Sequence, residues 1–71
     1  MRKNLQQARK NKGLTQEQAA LALGMRYNTY RAYESGFANA TVAKWDAMED
    51  FFGVPQRTLR EISKGEKNND N

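Results

Sequence analysis

The sequence predicts one all-helical domain of five short helices over residues 1–63, followed by a disordered polar tail over 64–71. Three observations predict it. Apolar residues recur three or four positions apart, the spacing that lines one face of a helix. Threonines that can cap a helix stand before two of these stretches, and glycines that can end one follow them. The whole sequence is 71 residues, enough for one compact core and too short for two.

Leu5 and Ala8 stand three apart in a polar, helix-favouring stretch from Arg2 to Lys12, and Gly13 supplies its stop. Thr15 is the N-cap of a second helix, with Gln18 at the capping-box spacing and Leu14 ahead of it as a hydrophobic staple. Ala19, Ala20 and Leu23 line one face of that helix, which runs to about Leu23, and Gly24 suits the left-handed residue that ends it. The third helix spans Arg26 to Glu34 on Tyr30, Ala32 and Tyr33 with Thr29 beneath, closed by Ser35-Gly36. Phe37 to Ala40 has no periodicity and reads as a loop. Thr41 caps a fourth helix whose Val42, Trp45, Met48 and Phe52 recur every three or four residues, ending at Gly53. Pro55 suits the first turn of a fifth, where its missing N–H costs nothing, with Leu59 and Ile62 as the buried face. Beyond Ser63 the chain is polar and offers no apolar anchor.

Composition removes several classes of function. Without cysteine there is no disulfide or thiolate metal site, and without histidine the usual zinc ligand and general base are missing. Asp46, Glu49 and Asp50 share one helix, but three carboxylates with no histidine are surface charge rather than a metal centre. No enzyme, metal or cofactor is therefore expected. Met1-Arg2-Lys3-Asn4 leads into Gln6 and Gln7 rather than an apolar signal core, and no apolar run is long enough to span a bilayer. A soluble, cytoplasmic protein with no membrane partner is expected, in which the glycosylation sequon Asn39-Ala40-Thr41 is accidental.

The charge is unevenly spread. Residues 1–31 hold seven basic side chains against Glu17 alone, a net of +6, while the remaining forty residues carry −2. A basic half invites a polyanion, nucleic acid first, although a solvated basic surface has the same composition. Two short helices joined through a glycine turn make a helix-turn-helix, whose second helix fits a groove about 12 Å wide. Ala20 sits where those two helices should pass closest, and Tyr30 and Tyr33 would pin the second of them to the core.

Leu14-Thr15-Gln16-Glu17, Ala20, Leu23-Gly24, Thr29 and Glu34-Ser35-Gly36, continued through Asn39, Val42, Gly53-Val54 and Leu59, resemble the lambda/434-repressor and Cro (XRE-type) family of helix-turn-helix regulators. The resemblance covers residues 5 to about 62. It implies a five-helix fold whose third helix reads bases, and a sequence-specific transcription regulator, a phage or prophage Cro-like repressor acting in a genetic switch. Carried over by position, Gln16 would offer its amide and nearby backbone N–H groups to a DNA phosphate, with Thr15 and Arg26 beside it. Tyr27, Asn28, Arg31 and Ala32 fall where base-reading side chains project; Asn28 can pair with adenine and Ala32 can touch a thymine methyl. A merely solvated helix face is the alternative. Arg9 and Glu34 match a structural ion pair that ties the first helix to the end of the third. The implied partner is a double-stranded operator, bound by a weak homodimer that forms on DNA.

Four positions depart from the family pattern. Arg26 replaces a small N-cap, Phe37 and Ala38 replace basic loop residues that clamp the DNA backbone, Trp45 replaces leucine, and Glu49 replaces alanine. With fewer phosphate contacts, DNA affinity should be low. Asp46, Glu49 and Asp50, near the aromatics Phe37 and Phe51, raise a second reading: an antirepressor that binds and disables a partner repressor protein through this patch.

Overall fold

The computed structural model describes residues 1–63, so the expected tail over 64–71 lies outside the described residues. The helices are α1 (Lys3–Asn11), α2 (Gln16–Ala22), α3 (Tyr27–Ser35), α4 (Val42–Phe52) and α5 (Gln56–Arg60), with no strand among the described residues. Each helix contributes to one core: Leu5 and Ala8 from α1, Ala19 and Ala20 from α2, Tyr30 and Tyr33 from α3, Trp45 and Met48 from α4, and Leu59 from α5. Helix α2 packs on α3, α1 on α3 and α5, and α4 on α5. Ala20 is buried in the core on α2, and a larger side chain there would overpack it.

Local chemistry sets the helix ends. Thr15 Oγ1 accepts from the Gln18 N–H at 3.1 Å while Gln18 Oε1 accepts from the Thr15 N–H at 2.9 Å, a complete capping box. Thr41 caps α4 by accepting from the Lys44 N–H at 3.2 Å. Gly24, at φ +71°, makes the turn between α2 and α3; a Cβ there would meet nothing within 4 Å, so any substitution is opposed by backbone strain alone. Gly36, at φ +87°, is constrained twice, since a Cβ would also lie 3.3 Å from Ile62 Cδ1.

Three expectations at the helix margins need correction. Val42 shares a stripe with Trp45 but is 71% exposed, because it sits in the first turn of α4, off the core. Pro55 is the N-cap of α5 rather than its first turn. Ile62 lies beyond the end of α5 at Arg60 and is 38% exposed, its side chain resting beside Gly36 instead of in the core.

Arg2 is buried, and nothing in the residue pattern announces it. Its backbone N–H donates to Glu34 O at 2.7 Å, and its guanidinium donates to the carbonyls of Tyr33 at 2.6 Å, Ala38 at 2.9 Å and Arg60 at 3.0 Å, and to Asn39 Oδ1. The guanidinium also sits 5.2 Å from the Trp45 ring centroid. One side chain thus ties the chain start to the end of α3, the α3–α4 loop and α5. Burial first, and the like charge of Arg60 second, pull its pKa down from the ordinary arginine value.

Candidate nucleic-acid interface

Helix α3 has two faces with opposite chemistry. On the inner face Glu34, only 1% exposed, receives Arg9 Nε at 2.7 Å and Arg9 Nη2 at 3.4 Å, while Arg9 Nη1 donates to Leu14 O at 2.8 Å. Gln16 adds its amide, donating from Nε2 to Glu34 Oε1 at 2.9 Å. The first residue of α2 is thereby fixed to the last turn of α3. An amide nitrogen carries two hydrogens, so this bond uses only one of them. Beside this cluster the Tyr30 hydroxyl is buried with no hydrogen-bond partner among the described residues, and burial first, then the adjacent Glu34, push its pKa up.

On the outer face, Gln16, Asn28, Arg31, Ala32, Ser35, Phe37 and Met1 line one open groove of about 380 Å³. Asn28 and Arg31 are exposed, Ala32 is half-buried, and Phe37 is 88% exposed at the rim. No described residue hydrogen-bonds the Asn28 side chain, whose paired donor and acceptor match an adenine edge. Tyr27 opens instead onto a neighbouring groove of about 440 Å³ with Glu17, Gln18, Ala20, Leu21 and Met25. Its ring lies 5.4 Å from the Arg31 guanidinium carbon, so it holds Arg31 from the side. Arg26 is the exposed N-cap of α3 and makes no capping bond, whereas the Thr15 oxygen is engaged in the capping box.

A family model described as helix-turn-helix matches residues 5–59. The chain belongs to the helix-turn-helix family of lambda-repressor and Cro type. It is a DNA-binding transcription regulator of that family, and α2, the Gly24 turn and α3 are its helix-turn-helix. Comparison with curated proteins and with solved structures gives no match. Among the described residues no helix is long and apolar enough to cross a membrane.

Two of the three acidic positions on α4 of this helix-turn-helix protein have structural partners. Glu49 accepts from the Gln56 N–H at 3.2 Å and from Gln56 Nε2 at 3.2 Å, and Asp46 accepts from Gln56 Nε2 at 2.6 Å. They tie α4 to the start of α5, leaving Asp50 as the exposed carboxylate without such a bond. Phe51 is half-buried, edge-on to Phe52 at 5.0 Å and 4.9 Å from Lys12 Nζ, so it does not extend an exposed aromatic patch. Phe37 stands apart from these residues, on the α3 groove.

Proposed function

We propose that the protein is a sequence-specific operator reader that represses, in the Cro manner, by occupying its site. One observation carries the reading: Gln16, the residue expected on a phosphate, and Asn28, Arg31 and Ala32, expected on bases, open onto a single groove. A duplex in that groove would put the phosphate contact and the base edges in one register. Asn28 pairs with an adenine, Arg31, steadied by Tyr27, reaches a guanine or a phosphate, and Ala32 meets a thymine methyl. Thr15 and Arg26 flank the backbone contact, and the exposed Phe37 ring lies against sugar at the groove rim. Operators with two half-sites about 34 Å apart would be bound by a homodimer assembled on DNA.

Selection from a pool of random duplexes tests this. An enriched motif, with Gln16→Ala weakening enriched and random duplexes alike, supports the reading. Failure to enrich any motif, together with capture of a partner repressor, would favour the antirepressor instead.

A further inference from the structure

The α3–α4 loop, residues 36–41, holds no basic side chain, having Phe37 and Ala38 at its centre. Beside that loop is a third open cleft, of about 380 Å³, lined by Arg2, Asn39, Arg57, Arg60, Glu61 and Ile62. Arg57 and Arg60 lie in the last turn of α5, both are exposed, and no carboxylate among the described residues pairs with either. Glu61, the one carboxylate lining the cleft, is engaged with Asn4, accepting from its Nδ2 at 2.6 Å. An arginine donates only, so Arg2 fixes the carbonyl oxygen of Asn39 toward itself and leaves the Asn39 NH₂ as an outward donor. Arg2, Arg57 and Arg60 put three positive charges on the lining of this cleft against the single negative charge of Glu61.

The cleft adjoins the reading groove. Met1 and Phe37 line the groove, while Arg2 and Asn39, one and two residues on, line the cleft. Gly36 lies close to both, since a Cβ added there would fall 3.3 Å from Ile62 Cδ1, which lines the cleft, and 3.4 Å from the nitrogen of Met1, which lines the groove. We propose that this cleft seats a backbone phosphate of the DNA occupying the α3 groove, with Arg57 and Arg60 giving charge-assisted bonds and Asn39 a neutral one. The assignment rests on the operator-reading function proposed above.

The test uses the full chain carrying Arg57→Gln and Arg60→Gln together, titrated with an enriched duplex and a random one between about 50 and 200 mM salt. Both affinities should fall by the same factor, and the slope of log K against log salt should become shallower by about one, the change expected for one lost phosphate contact. An unchanged slope, with Gln16→Ala still weakening binding, overturns the α5 seat and leaves the reading groove intact. Wild-type protein that binds neither duplex overturns both. Inorganic phosphate provides a second arm: if it raises the melting temperature of the wild type but not of the double variant, while the DNA slope is unchanged, the cleft holds a free anion and the proposal fails.

Discussion

The two faces of α3 carry similar side-chain types and do opposite work. Inside, Glu34 and its partners Arg9 and Gln16 are bonded to one another; outside, Asn28 and Arg31 are exposed, and the Asn28 amide bonds to no described residue. The same contrast divides the arginines. Arg2 and Arg9 are buried scaffold, whereas Arg26 and Arg31 are exposed. A basic sequence half therefore overstates the charge that DNA meets, and the role of each arginine follows from which acceptors surround it.

Breaking the inner face should give the largest effect. Glu34→Ala leaves Arg9 buried and uncompensated, and urea unfolding should show a loss of about 3–5 kcal/mol. The double variant Arg9→Ala with Glu34→Ala should lose less than the sum of the single changes. Additivity would mean the pair is not coupled and the contrast between the faces is overdrawn.

The outer face should respond in binding and not in stability. Asn28→Ala should leave the melting temperature near that of the wild type while discrimination between enriched and altered operators falls by about 1–3 kcal/mol. A large drop in melting temperature would show that Asn28 belongs to the scaffold.

The smallest effect sharpens the inner face. The Tyr30 hydroxyl is buried beside Glu34 with no hydrogen bond of ordinary geometry, so Tyr30→Phe should be neutral or stabilising by up to about 1 kcal/mol at neutral pH. The folded-state pKa of Tyr30 is raised, so its contribution to stability is fully present below the ordinary tyrosine pKa near 10 and is lost as pH rises above it. Unfolding measured against pH should fall there by up to about 1.4 kcal/mol per unit, and Tyr30→Phe should flatten that limb. Destabilisation at neutral pH would instead mean the hydroxyl has a partner in the Arg9–Glu34 cluster.

Most of the helical scaffold was legible because its signals are local. The Thr15–Gln18 capping box, the Thr41 cap and the positive φ of Gly24, Gly36 and Gly53 all follow from neighbouring residue types. Tyr30 and Tyr33 were legible as core from their place in the helix-turn-helix register. Val42 and Ile62 were misread because periodicity gives the direction of a side chain and not where the neighbouring helices stop. Arg2 was invisible for a different reason: its acceptors are mostly backbone carbonyls of residues 33, 38 and 60, which no residue pattern encodes. The engagement of Asp46 and Glu49 by Gln56 was likewise hidden, since it depends on how α5 docks on α4.

The central claim is that the outer groove of α3 meets DNA while the cluster behind it stays fixed. Amide chemical shifts of isotope-labelled protein, followed as an enriched duplex is added, test it most directly. The account predicts saturable shifts at Gln16, Asn28, Arg31, Ala32, Ser35 and Phe37, with Leu5, Met48 and the Asp46 to Asp50 face of α4 little changed. Shifts centred on that α4 face, with the α3 groove silent, would contradict it.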